Sequence, residues 1–467
     1  MNKTIDNKLF NVFIWAILVS FFVVLVLPLF AQTALLPPPP LPPISHPTPR
    51  APGQKYIEEI WDELENATFA TPTFEELGTL HEGHSFDELW ELAQTSNPSL
   101  HKKINQIKYA NGQRIQAGLY PNPRLNYAGD NLGVHGEIGK HGFGITQEII
   151  TAKKKKFDRS IASYNITTAR KEYSMEYIKL RNDLSIAHNE MIHAILIWKV
   201  EEFAYEISTD LLKVAQELQK DNKTRSLDVL HFRTELNESA LHRRQAENNK
   251  IAKWQNIISI IGKTHLPYQP VRGSLIDRTP RRNWQSTWTQ FQNTSPQLEL
   301  LKLKIAQART QLAREKAEQT PNVAATFSLA RDVPAKTTTP FVGISVPLQI
   351  YDKNQGNIIK AGAEVAIANQ ELDRVTLSFH KKLSDIFYKY DSACELIQAY
   401  EKSIIPDSFE ALRQIGENYC DGKMTYHDLY SQRQLVIKSL LQYIDALKIK
   451  AITTIQIDGM LLEGTLD

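Results

Sequence analysis

Cysteine is nearly absent from this chain, which has only Cys394 and Cys420. Neither follows the apolar run at the N-terminus, so that end offers no cysteine for lipid attachment. On one continuous helix the two thiols would stand about 40 Å apart, beyond the reach of a disulfide. Methionine is scarce as well: the five present form no ladder of soft ligands for a metal ion. A large net charge is also missing. The formal value of +2 argues against a nucleic-acid partner, which needs a concentrated basic surface. No glycine loop for phosphate and no Ser-His-Asp grouping occurs. The stretch "HEGH" (81–84) spaces its histidines three apart, unlike the four-apart pair of a zinc-protease helix, and reads as surface ahead of the folded repeat. His188 and His193 lie five apart on a helical pattern, poor geometry for sharing an ion. These absences point to no catalytic residue, no cofactor and no metal site.

Residues 1–34 read as an export signal: two lysines, an apolar run, then small residues around Ala31 and Ala34. The run, about 20 residues, is also long enough to remain as a membrane anchor. Residues 35–53 are dense in proline and form a stiff polyproline II spacer. Residues 54–82 are acidic and irregular, and together 35–84 make a linker.

From there the chain repeats itself. Pro98 and Pro296 stand 198 residues apart, as do Pro123 and Pro321; Asp228 and Asp428 are separated by 200. A steady offset marks two structural copies, 85–283 and 284–467. In each, a modest helix (99–119, 297–319) leads into two strand-like segments (123–131 and 141–150; 321–330 and 339–350). Long helical stretches follow. No glycine or proline lies between Gly144 and Gly262. Tyr177, Leu184, Met191, Trp198, Tyr205 and Leu212 recur every seven residues, with Leu180, Ala187 and Ala194 between them, a coiled-coil-like seam. At about 1.5 Å per residue, 152–220 would span roughly 100 Å.

Each helical pair has a tip, "QKDNKTRSLDVLHFR" or "NYCDGKMTYHDLYSQR". Asn222 and Gly422 hold equivalent positions and suit a left-handed turn. Ser226 or Thr425 would cap the returning helix. Asp228 and Asp428 fall in its first turn, where negative charge is favoured. The four strands, separated by about 200 residues of helix, cannot form a core alone. Strands in a membrane must close on neighbours, and membrane barrels need about eight or more. Closure by two or three chains follows. Tyr120, Tyr127, Phe143, Phe341 and Tyr351 suit aromatic girdles.

Three stretches carry a resemblance: "YPNPRLNY" (120–127), "TQEIITAKKKKFDRS" (146–160) and "VPLQIYDKNQGNIIKAGAE" (346–364), with "DLYSQRQ" (428–434) at the tip. Together they resemble the TolC-like outer-membrane efflux factors, nearest the heavy-metal cation branch (CusC/CzcC type), over residues 85–464. The resemblance implies a mainly α fold, internally duplicated, with a small transmembrane β part. Three chains would form a 12-stranded β-barrel, four strands per chain, continued by a trimeric α-barrel of long coiled-coil-like helices through the periplasm.

The implied role is a passive, non-enzymatic duct in the cell outer membrane. Its implied partners are a periplasmic adaptor, an inner-membrane RND-type pump and outer-membrane lipids. At Tyr351 and Asp352 the chain would leave the membrane. Asp428 matches the first of two family gate aspartates; Ser431 occupies the second position. Asn222, Asp228 and Gly422 become candidates for helix-tip or adaptor docking. The family's lipidated cysteine is missing, and Lys153 to Lys156 replace its usual Gly-Lys-Arg. Those lysines would face lipid phosphates or form a solvated charge run. A duct for protein secretion or drug efflux, or a periplasmic coiled-coil scaffold, are the alternative readings.

Overall fold

Asn97 shows how the sequence sets the first corner. Its side-chain oxygen accepts hydrogen bonds from the backbone N–H groups of Ser99 (2.8 Å) and Leu100 (3.3 Å). It thereby ends helix α1 (Phe86–Ser96) and starts α2 (Pro98–Gly118), with Pro98 at a first-turn position that needs no donor. Its amide donates to the carbonyl of Ile260 (2.8 Å), near the end of a long helix beyond. That helix stops at Gly262, whose φ of +88° suits glycine, and where a Cβ would lie 2.8 Å from the Ser96 carbonyl oxygen.

The computed structural model describes residues 74–464 apart from 76, 134–137, 221–223 and 421–422, all within the compact unit Ile57–Asp467. The export signal, the proline-rich spacer, Asn222 and Gly422 therefore lie outside the described residues. Among those described, no helix is long and apolar enough to cross a membrane. After α2 come β2 (Arg124–Asp130), β3 (Lys140–Ile149), α3 (Lys154–Lys220) and α4 (Ser226–Ile261). The second half repeats the order: α5 (Trp284–Thr294), α6 (Pro296–Ala317), β5 (Val323–Asp332), β6 (Thr337–Ser345), α7 (Gln355–Ala399), α8 (Ile405–Cys420) and α9 (Tyr426–Asp458). A short ladder of β1 (Thr79–Leu80) with β4 (Gly273–Ser274) ties the start of the first half to its end.

The other four strands form one antiparallel sheet in the order β2-β3-β5-β6. Among the described residues, the outer edges of β2 and β6 pair with no strand. The last strand stops short of the end of the strand-like segment 339–350 read from the sequence. β6 ends at Ser345, because Pro347 cannot donate to a ladder, so Leu348 and Ile350 stand exposed in irregular chain.

The helices pack as the seven-residue pattern indicated. Leu180, Leu184, Ala187, Met191 and Ala194 are all buried. With Trp90 and Trp254, and with Val436, Leu440 and Tyr443 from α9, all but Ala194 belong to the main core. Farther down, the seam changes. Trp198 and Tyr205 are only partly buried and take the cations of Lys250 and Arg243 over their rings, at 4.0 and 4.4 Å.

Between α7 and α8 the helix widens into a π segment, Tyr400–Ile404. Pro406 lacks an N–H and cannot continue the α ladder there. Two crossing bonds to α9 hold the segment: Tyr400 O–H to Gln442 (2.7 Å) and Tyr443 O–H to Glu401 (2.9 Å).

Candidate functional site

The register gives the sheet two unlike faces. One row runs Leu125–Ile145–Phe327–Val342 and the next Tyr127–Phe143–Leu329–Pro340. The opposite face carries Asn126–Gly144–Ser328–Phe341 and Arg124–Thr146–Thr326–Gly343. On that polar face the Asn126 amide donates to Thr146 (2.7 Å), whose hydroxyl lies 3.0 Å from that of Thr326. A cavity of about 360 Å³ opens there, bordered by Arg124, Thr146, Glu148, Asn322, Ser345 and Gln349. Of the expected girdle, Tyr127 and Phe143 share the apolar face with ring centroids 5.1 Å apart. Tyr120 and Tyr351 are exposed. Phe341 departs from the expectation: its register puts it on the polar face, its ring filling the space a Cβ on Gly343 would take.

Both strand-to-helix exits are anchored on the end of α6. The first turns through Ala152 and Lys153, both at positive φ, and then buries Lys154 to 2% exposure. The Lys154 ammonium donates to Asn322 (2.8 Å) and Glu318 (3.3 Å). Asn322 in turn donates to Glu148 (2.8 Å), and Arg314 holds Asp158 (2.7 Å) as well as Glu318. Partial burial pushes the Glu318 carboxyl up, but Arg314 and Lys154 outweigh it and hold it below its ordinary value. The solvated or lipid-facing reading of the lysine run is thus wrong for Lys154, which is an internal strut.

The second exit passes Tyr351, fully out in solvent, and Asp352, whose carboxylate accepts from the Asn354 N–H (2.9 Å). Asn354, at φ +58°, donates to the Glu315 carboxylate (2.8 Å) on α6. Tyr351 and Asp352 mark the turn; Asn354 makes the attachment.

At the tips, Thr425 caps α9 and Asp428 completes the box. The Asp428 carboxylate accepts from the Thr425 N–H (2.9 Å) and hydroxyl (2.7 Å), bonds that hold it below the usual carboxylate range. Ser226 is not a cap but the first helical residue; Arg225 occupies the cap position. Partial burial pushes the Asp228 carboxyl up, and bonds from Arg225 and Thr224 overcome this and lower it. Ser431, standing where a second aspartate was sought, donates to the carbonyl of His427 (2.7 Å).

One turn above lies a pair that sequence reasoning missed. Arg433 and Glu235 are both 4% exposed and form an ion pair between α9 and α4. Arg433 also donates to Ser208 and to the Ala204 carbonyl, each at 2.7 Å, on α3. The Tyr426 hydroxyl lies 3.4 Å from Glu235. Burial pushes the Glu235 carboxyl up despite Arg433. A signal existed: Arg433 sits in the apolar spacing Leu429, Arg433, Val436, Leu440, where a charge faces inward.

Among the described residues, no group of three or more His, Cys, Asp or Glu is placed to hold a metal ion. "HEGH" is not detached from the fold. His84 pairs through its backbone with Pro270 and Arg272 (both 2.9 Å), and its ring bonds Glu88 (2.8 Å). His193 bonds Asp445 (2.7 Å), while His188 is buried against Phe86.

No family model matches the chain. It is 19% identical over 361 residues to the cobalt-zinc-cadmium resistance protein CzcC of Cupriavidus metallidurans, covering 76% of this chain and 84% of that protein. Its fold is similar to that of CusC, with a TM-score of 0.67 at 12% identity over 81% of this chain and 92% of CusC. It is similar also to the outer-membrane channel OprN, with a TM-score of 0.69 at 14% identity over 81% and 90%. The resemblance to TolC-like factors read from the exits and tips therefore holds in fold and in sequence relatives.

Proposed function

We propose that this chain, TolC-like by fold and by relatives, is the outer-membrane channel of a tripartite efflux system that exports heavy-metal cations. The observation that carries this reading is the sheet: two-faced, four strands wide and open at both edges, at the head of helices up to 67 residues long. Three copies joined β6 to β2 make twelve strands, within the range of closed membrane barrels. The apolar rows then face lipid and the polar rows line a pore. The long helices continue as a tunnel through the periplasm, where a periplasmic adaptor and an RND-type pump dock from below. Residues 1–34 serve as export signal and 35–84 as linker, with the two repeats at 85–283 and 284–467. CzcC, by its name a cobalt-zinc-cadmium resistance protein, supports the metal cargo. A strand pair in each half, rather than one helical hairpin, speaks against a coiled-coil scaffold. No catalytic step is assigned to the chain; the pump supplies the energy.

In this duct Tyr351 and Asp352 stand where the chain leaves the membrane. Threefold symmetry gathers three Asp428 carboxylates at the tips of the inner helices, a ring that favours cations. Asp228, with Asn222 and Gly422, serves adaptor docking. Single-channel recordings in planar bilayers test this. Asp428→Ala is expected to weaken cation preference and block by divalent ions, and Asp228→Ala to leave both unchanged. Two variants indistinguishable from wild type in selectivity, yet less heat-stable, would reduce Asp428 to a helix cap.

A further inference from the structure

Charge is sorted by face at the outer rim of the sheet, beyond the apolar rows. On the polar face, Asp130, Lys140 and Asp332 stand opposite one another. On the apolar face the same level holds His141, Arg331 and Thr338, none of them acidic. Asp332 faces the other side of the sheet, and its carboxylate accepts from the Ala335 N–H of the hairpin (2.9 Å). Arg331 is exposed, and it donates to the Thr338 hydroxyl directly across the ladder (3.2 Å). Among the described residues it pairs with no carboxylate.

The neighbouring histidine is already occupied. Its Nε2 lies 3.0 Å from the carbonyl of Ile138 and so carries the proton. Its Nδ1 lies 2.7 Å from the Tyr127 hydroxyl. This chain fixes Tyr127 one row below Arg331, at the top of the apolar band. From Val323 to Leu329 that band covers about 20 Å of strand at roughly 3.4 Å per residue, or about 15 Å of bilayer at a tilt near 40°. Exposed Val346, Leu348 and Ile350 extend it on the helical side.

We propose that Arg331 and Thr338 form a binding site for the phosphate groups of an outer-leaflet glycolipid. This deepens the barrel reading above and rests on it. The guanidinium supplies a planar fork matched to phosphate oxygens. Thr338, which accepts from Arg331, keeps its O–H to donate. Each protomer carries one such site, at the height where the apolar band gives way to headgroups. Lys140, at the same level but on the pore side, takes no part.

The test uses the full-length protein in phosphatidylcholine vesicles, alone or with lipopolysaccharide, its dephosphorylated form, or inorganic phosphate. The readout is the temperature at which the trimer dissociates. Phosphorylated lipopolysaccharide is expected to raise that temperature for wild type and for Lys140→Gln. Arg331→Gln should lose most of the rise, and dephosphorylated lipid should give little. An equal rise for Arg331→Gln overturns the site, as does an equal loss for Lys140→Gln. An equal rise with inorganic phosphate alone makes it a free-anion site and overturns the lipid assignment. A wild-type protein that never forms a trimer overturns the barrel reading itself, and this site with it.

Discussion

Arg433→Leu is expected to destabilise the protein by about 3–5 kcal/mol, the cost of leaving one member of a buried pair alone. The arginine holds Glu235 on α4 together with Ser208 and the Ala204 carbonyl on α3. Its loss strands a carboxylate that is 4% exposed. Glu235 then protonates or drags water inward, and either outcome loosens α9 from the α3–α4 pair just above the tip. Glu235→Met combined with Arg433→Met leaves no orphan charge and is expected to recover most of the loss. Urea denaturation of the purified protein checks this, with the midpoint read against an unchanged slope. A single variant as stable as wild type would mean the pair is solvated in the assembly.

A charge on the apolar face of the sheet should be nearly as damaging. Val342→Arg places a cation opposite Phe327, in the row with Ile145 and Leu125. A lipid-facing arginine near the bilayer midplane costs about 2–4 kcal/mol. Ile344→Arg, lower on the same face opposite Ala325, should cost somewhat less. Ser345→Arg, one residue on and facing the polar side, is expected to assemble normally. Heat-resistant trimer in outer-membrane fractions is the measurement. Equal tolerance of all three variants would mean the sheet does not meet lipid on its apolar face.

These two sites differ in how far the sequence disclosed them. The strands were legible as paired segments placed alike in the two copies, after the modest helices, and β2 (Arg124–Asp130) and β5 (Val323–Asp332) fall largely within them. The long helices were legible from the seven-residue seam through Leu184 and Met191, with glycine and proline kept out. The tip was half legible: Thr425 and Asp428 have the spacing of a capping box, and they form one. Its counterpart misled, since Ser226 offers the right chemistry while the backbone puts Arg225 at the cap.

The exit hub was hidden for a different reason. Lys154, Glu318 and Asn322 come from distant segments, and no local pattern says that one of four consecutive lysines turns inward. Phe341 was misplaced because aromatic character alone does not fix parity; only its pairing with Ser328 does. Long-range partnership, whether at the hub or in the Glu235–Arg433 pair, is set by packing and leaves only faint marks in one chain.

The central claim is that four strands per chain close only as three copies. The most direct measurement is the mass of the assembly extracted from outer membranes in mild detergent, by native mass spectrometry. The account predicts a single species of three processed chains. A monomer or dimer extracted from the same membranes, with its strands intact and no trimer present, would contradict it.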